Sequence, residues 1–371
     1  MTDYAKSLAG LIVILLSAKI VAIMSLYVLI PYAVDYIDRN PEFLDKFGNR
    51  YSRTGYEDNL PLSALCCHWD SEHYLRISER GYDSEMLYAF SPGYPMLIRI
   101  VSFLVSDRLL AAVLISNFFS IASVMAFYFT ARLYLTERES VYASFFFMLF
   151  PTVFVYGTVA YTEPMFLTFT ILGWYFFERK KYLNAGSLLA AASLTRYSGL
   201  VLYPILSFLL VRERGLDFKG LIRLNAPAVA VIVFFLALQS TTQSSYSAIQ
   251  KTYWDTQLEY PLAFLGYVKL TAGSVLKDPT FYFILFMVLG IMCYRIRPRL
   301  ALYALTLTLF YSSFVGVAAA SIPRFLATAW PAFLPLGRYL KNTLVVVTVL
   351  AYFWIFSVLV LIVHTLWIFY A

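Results

Sequence analysis

Residues 109–131 read LLAAVLISNFFSIASVMAFYFTA, without one charged side chain. At about 1.5 Å per residue this stretch makes roughly 34 Å of helix, enough to cross the ~30 Å hydrocarbon core of a bilayer. Working outward, further apolar stretches cover 8–33, 140–158, 163–178, 183–195, 198–211, 222–240, 279–294, 300–318, 325–337 and 343–370. The expectation is an all-α polytopic membrane protein, a single domain over residues 1–371 with about eleven transmembrane helices. Stretches too short to span must tilt, or break where they line a cavity. Stretch 8–33 exceeds the core of a signal peptide and reads as a retained first span.

Composition agrees. The 371 residues are 60% hydrophobic and only 14% charged, with mean hydropathy +0.69, against about 25% charged in soluble domains. Thirty tyrosines and 32 phenylalanines suit long membrane–water interfaces. A net charge of +7 would suggest nucleic acid in a soluble protein. Here it reads as basic residues kept on the cytoplasmic side against lipid headgroups, so membrane lipids are the expected partners and nucleic acid is not. Cys66 and Cys67 are adjacent and Cys293 is distant, which does not make a disulfide framework.

Arginine and lysine set the orientation. The short connections at 132–138, 179–181, 212–223, 295–299 and 338–341 each carry two or more basic residues. They fall on one side if 91–106, which begins with Pro92 and Pro95 and contains Arg99, lies in the interface without crossing. That side is cytoplasmic by the short-loop rule. Two long outer loops result, 34–108 with interfacial helices and 241–278. No internal repeat is evident.

The outer side holds the residues with chemistry. In Cys67-His68-Trp69-Asp70-Ser71-Glu72-His73-Tyr74, a helix puts Asp70, His73 and Tyr74 on one face. A carboxylate there can take a proton from an acceptor hydroxyl. The plain structural alternative is a solvated loop with a helix cap at Asp70 or Ser71. His68, Asp70 and His73 are zinc-type ligands, but His68 and Asp70 do not share a helical face, and no metal site is expected. Tyr161-Thr162-Glu163-Pro164 begins a span, and Pro with an acid there also makes an ordinary helix start. Arg196, in Thr195-Arg196-Tyr197-Ser198-Gly199, needs an anion or a watered cavity. Arg324 stands at the outer end of a span, where snorkelling to water is the alternative. Two outward cations and a carboxylate suit transfer from a lipid-linked phosphate donor.

These motifs resemble the GPI mannosyltransferase II (PIG-V type) family within the GT-C superfamily of membrane glycosyltransferases. The residues that carry the resemblance are His68-Trp69-Asp70 with Tyr74 and Gly81-Tyr82, Phe90-Ser91-Pro92-Gly93-Tyr94-Pro95, Tyr161-Thr162-Glu163-Pro164, Leu194-Thr195-Arg196-Tyr197-Ser198-Gly199 and Pro323-Arg324-Phe325. The resemblance implies a GT-C bundle, a polyprenyl-phosphate sugar donor such as dolichyl-phosphate mannose, and an aspartate base in the first outer loop. The expected activity is inverting transfer of a sugar, mannose first, to a lipid or glycan acceptor at the outer or luminal face. Asp70 is the expected base. Arg196, Arg324 and Lys251 are the donor-phosphate candidates, and His68, Trp69, His73, Tyr74, Tyr94, Tyr161 and Glu163 the pocket. No soluble cofactor or divalent metal is expected. Outer loops shorter than in eukaryotic members favour a prokaryotic or archaeal plasma membrane over the endoplasmic reticulum. A multispanning transporter or lipid flippase is the alternative, for which repeats and mid-membrane charges would speak.

The charge asymmetry predicts that a cysteine introduced as Ser84→Cys in a cysteine-free background reacts with a membrane-impermeant maleimide from the non-cytoplasmic side. Labelling from the cytoplasm would invert the topology.

Overall fold

The computed structural model describes residues 3–39, 65–66, 68–266 and 278–365. Parts of the two expected outer loops, Cys67 and the end of the stretch 343–370 lie outside these residues. The described chain is almost wholly helical. Helix α1 covers Asp3–Arg39, α2 Asp70–Arg80, α3 Gly93–Val105 and α4 Arg108–Ala131. After α5 (Glu137–Leu149) and α6 (Pro151–Tyr156) come α7 (Glu163–Glu178), α8 (Tyr182–Thr195), α9 (Leu202–Arg214) and α10 (Phe218–Gln239). Then follow α11 (Tyr246–Trp254), α12 (Pro279–Cys293), α13 (Pro298–Tyr311), α14 (Val317–Ala320), α15 (Ile322–Leu326), α16 (Leu334–Tyr339) and α17 (Thr343–Thr365). One antiparallel ribbon pairs β1 (Thr256–Leu258) with β2 (Phe314–Gly316), Gln257 opposite Val315.

The protein is an integral membrane protein. Among the described residues four helical stretches are long and apolar enough to cross a bilayer: Lys6–Tyr32, Arg108–Ala131, Phe218–Gln239 and Thr343–Ile362. Gly93–Val105 and Pro279–Cys293 are shorter apolar helices. The expected count of eleven is therefore not reached by uninterrupted helices. The physical reason is proline and burial. Pro151 splits 140–158 into α5 and α6, because its ring cannot continue the helical ladder. Stretch 325–337 becomes the end of α15, the 3₁₀ turn Trp330–Phe333 and α16. Helix α7 has 16 residues, about 24 Å, and is buried along most of its length among protein neighbours. Backbone can break at membrane depth where protein surrounds it.

Aromatic rings fill the centre. Phe127 stacks on Phe147 at 4.5 Å, Phe333 meets Phe150 at 5.1 Å, and Trp174 meets Tyr303 at 5.2 Å. At one end, Arg299 pairs with Glu178 at 2.8 Å and Glu213 at 3.2 Å, gathering three of the basic connections. The opposite end is where α7 begins and α8 finishes. Two glycines let the backbones close there. A Cβ on Gly93, at the start of α3, would lie 2.6 Å from the Leu194 carbonyl oxygen. One on Gly199 would lie 2.6 Å from the Ser193 nitrogen.

Gly93→Ala is expected to force α3 off α8 and to cost about 1–3 kcal/mol, the usual range for overpacking. Thermal unfolding in detergent should show a lower midpoint, while Gly10→Ala, where nothing lies within 4 Å, should leave it unchanged.

Candidate active site

Four charged side chains far apart in sequence meet where α2, α7, α8 and α15 converge. The Arg324 Nη1 donates to Asp70 Oδ2 at 2.9 Å. Its Nε lies 3.2 Å from Glu163 Oε1, an ion-pair contact without hydrogen-bond alignment. Arg196 Nη1 donates to Glu163 Oε1 and, at 3.2 Å, to Thr162 Oγ1. Two carboxylates and two guanidiniums make a formally neutral group. The side chains of Glu163 and Arg324 are 5% and 6% exposed, those of Arg196 and Asp70 17% and 19%. Burying any of these charges alone would cost several kcal/mol, and mutual pairing offsets that. The Arg324 guanidinium also lies over Tyr156, Tyr161 and Phe325, between 5.1 and 5.5 Å from the ring centres.

Local structure aims each group. Asp70 is the first residue of α2, preceded by Trp69 at φ 55°. A bulky residue with positive φ is strained and persists only where its surroundings over-determine it. Glu163 opens α7 with Pro164 behind it, at the end of the helix dipole that favours a carboxylate. Arg196 directly follows α8, at the end that favours a cation.

The connection 157–162, which carries Tyr161 and Thr162 up to Glu163, is tied by side chains. Lys19 Nζ donates to the Gly157 carbonyl at 2.6 Å and to Asn117 Oδ1 at 2.9 Å. Asn117 Nδ2 donates to the Thr158 carbonyl at 3.0 Å. The Ala160 carbonyl accepts from Ser71 Oγ at 2.9 Å. Ser116 Oγ donates to the Tyr161 carbonyl at 2.8 Å and accepts from its N–H at 3.0 Å. Sequence reasoning missed Lys19, Asn117 and Ser116. The signal was present: Lys19 is the lone charge in 8–33, and a charge inside a span must have a purpose and a partner.

The structure gathers part of the expected pocket. Tyr74 is buried, with its hydroxyl 3.4 Å from Thr162 Oγ1, and burial pushes its phenol above the ordinary value. Tyr94 serves as a strut beneath it, its hydroxyl 2.9 Å from the Ala112 carbonyl and 2.7 Å from Ser116 Oγ. Tyr161 lies against the Arg324 guanidinium. His68 turns elsewhere, with Nδ1 2.7 Å from the Cys66 carbonyl and its ring 6.0 Å from that of His364. His73 points to Phe90 and Trp254, and burial holds its imidazole below the usual value, so it stays neutral. Lys251 is exposed on α11 and, among the described residues, makes no ion pair or hydrogen bond with the cluster. The sequence puts Arg324 nearer to water than Arg196. The structure buries Arg324 more deeply, because two carboxylates draw it inward.

A family profile described as Mannosyltransferase (PIG-V) matches residues 57–259, more than half of the chain. The GPI alpha-1,6-mannosyltransferase 2 of Rattus norvegicus is 33% identical over 236 residues, 57% of this chain and 45% of its own length. That of Cricetulus griseus is 35% identical over 170 residues, 42% and 33%. The chain thus spans less than half the length of these curated relatives. Among solved structures, ArnT from Cupriavidus metallidurans bound to undecaprenyl phosphate aligns with TM-score 0.50 at 14% identity, over 73% of this chain and 57% of that one. That likeness is one of fold, the GT-C bundle implied by the motifs.

Removing one partner of a buried ion pair costs about 3–5 kcal/mol. Arg324→Ala leaves Asp70 with no ion-pair partner among the described residues and Glu163 with Arg196 alone, whereas Arg196→Ala leaves both carboxylates with Arg324. Arg324→Ala is expected to lower the thermal midpoint in detergent more than Arg196→Ala. Arg324→Lys should recover only part of the loss, since a point charge cannot span both acids. Equal midpoints for the two alanine variants would refute the bridge.

Proposed function

The chain belongs to the mannosyltransferase (PIG-V) family, and from that premise we propose that it is an inverting glycosyltransferase using a polyprenyl-phosphate mannose donor. The acceptor is a lipid or glycan hydroxyl at the non-cytoplasmic face, where the loops 34–108 and 241–278 lie. Asp70 carries this reading. It is the most exposed member of a buried charge cluster, with one carboxylate oxygen held by Arg324. A carboxylate so oriented can accept the proton of an incoming hydroxyl.

In the proposed step the acceptor oxygen attacks the anomeric carbon as Asp70 takes its proton. The bond from that carbon to the phosphate oxygen breaks on the opposite face, so the configuration inverts. The polyprenyl phosphate leaves with the bonding pair. Arg196 is suited to meet it. Its Nη1 serves Thr162 and Glu163, while Nη2 and Nε make no hydrogen bond among the described residues. Such donors stabilise leaving-group charge without reorganising. Arg324 holds Asp70 and balances the added anion. Glu163 and Tyr74 line the site, and Lys251 remains a candidate for the phosphate.

No soluble cofactor or divalent metal enters this reading, and transfer should survive a chelator. The rival assignment as a transporter or flippase gains no support from a family of mannosyltransferases. The matched relatives are eukaryotic GPI mannosyltransferases, so they lend nothing to a prokaryotic plasma membrane. Which glycan or lipid accepts the sugar is open to assay.

Asp70→Asn is expected to lower transfer from radiolabelled polyprenyl-phosphate mannose by about 10²–10⁴-fold, the usual range for a general base. Donor binding should stay within a few-fold of the parent. Near-normal turnover would remove Asp70 from the mechanism.

A further inference from the structure

Helices α3 and α4 form a hairpin whose turn carries a second pair of cations, apart from the buried charge cluster. The Tyr94 hydroxyl on α3 reaches Ala112 and Ser116 on α4, so the two helices run antiparallel and α3 climbs toward the start of α4. Ser116 sits against Tyr161. Arg108, eight residues earlier in α4, stands about 12 Å further out along the helix axis. At that level a cavity of about 360 Å³ is lined by Arg99, Ser102, Phe103, Ser106 and Arg108.

Its chemistry is that of an anion site. Arg99, Ser102 and Ser106 are spaced by three and four residues and so share one stripe along α3 and its end. Arg108 lines the same cavity from across the turn, where Ser106 adopts φ 57°. Both arginines are exposed, and among the described residues neither side chain makes an ion pair or hydrogen bond. The neighbouring acid, Asp107, is engaged: its carboxylate caps α4, accepting from the N–H groups of Leu109 and Leu110 at 2.7 and 3.2 Å. Ser102 Oγ donates to the Arg99 carbonyl at 2.8 Å, which leaves the Ser106 hydroxyl as the cavity's neutral donor. Snorkelling alone would take each arginine to water separately. Here both line one cavity.

The adjacent stripe of α3 is apolar and uncovered. Met96, Ile100, Phe103 and Leu104 follow helical spacing, and the last two are 78% and 82% exposed. The other side of the helix, with Tyr94 and Ile98, is buried. An apolar face of this kind suits lipid tails, and unpaired arginines at its end suit headgroups. We propose that the cavity holds the phosphate of an anionic phospholipid, with the acyl chains along Met96, Ile100, Phe103 and Leu104. Charge complementarity selects the occupant. Two cations stand against one acid engaged in a cap, and guanidiniums take phosphate oxygens in paired hydrogen bonds. The inference stands independently of the glycosyltransferase reading. The lipid braces α3, whose Gly93 packs on Leu194, two residues before Arg196.

Photocrosslinking on the full-length protein tests this. A photoreactive phenylalanine analogue replaces Phe103, and the protein is held in phosphatidylcholine nanodiscs with a radiolabelled trace of phosphatidylglycerol. Irradiation is expected to label the protein. Unlabelled phosphatidylglycerol should suppress the label, and the same amount of phosphatidylethanolamine or inorganic phosphate should leave it. Changing both arginines, Arg99→Gln with Arg108→Gln, should lower labelling about tenfold without moving the thermal midpoint, since both side chains are exposed. The same analogue in place of Ile291, exposed on α12, should crosslink lipid whatever its headgroup and whether or not the arginines are present. Equal suppression by phosphatidylethanolamine would reduce the face to ordinary bilayer contact, and suppression by inorganic phosphate would make the ligand a free anion. Crosslinks to a second copy of the chain would make it a protein interface. Any of these overturns the proposal. So does undiminished labelling of the glutamine variant, or no label at Phe103 while the probe at Ile291 reacts.

Discussion

Arg324 is a guanidinium held where water is nearly absent, and it can stay there only because Asp70 and Glu163 reach it from two other parts of the chain. Much of this end of the molecule follows from that requirement. Asp70 must start a helix in the segment between α1 and α3 and be turned inward, just after the positive φ of Trp69. Glu163 must stand at the first turn of a helix buried on nearly all sides. Arg196 then has to share Glu163, because a second guanidinium so near the first needs its own negative charge. The cluster is neutral as built, so under the proposed reaction an anionic donor would change the balance at the place where a leaving phosphate is to be stabilised.

The second constraint is backbone satisfaction. The connection 157–162 cannot find water, and its carbonyls must be met by side chains. Lys19 from the first span and Asn117 and Ser116 from α4 do so. Ser71, one residue after Asp70, holds the Ala160 carbonyl. The same contact therefore fixes the base candidate relative to Glu163. A lysine in a span, costly in isolation, becomes the means of bracing an irregular turn.

Much of the candidate site was legible before the fold was known. Glu163, Arg196 and Arg324 stand out because a charge amid apolar sequence must have a reason, and Asp70 because it lies in the dense polar run Cys67–Tyr74. Lys251, equally charged, does not join them, and His68 and His73 face different surroundings. The ranking of the two arginines also reversed. Position along a span suggests how near a residue is to water, yet burial depends on which partners arrive from elsewhere.

Sequence alone determined the helical membrane class, since a run such as 109–131 has no other stable home than a bilayer. It also carried the ordered motifs that mark the family. Hydropathy is a local property, summed over neighbours in the chain, and so it counted apolar stretches without telling a continuous span from a buried, proline-broken one such as 140–158. Pairing is not local. Asp70 and Arg324 are 254 positions apart, and Lys19 and Gly157 are 138 apart. Only the packed bundle decided that these groups meet, because the cost of burying each is met by a partner that no window along the sequence contains.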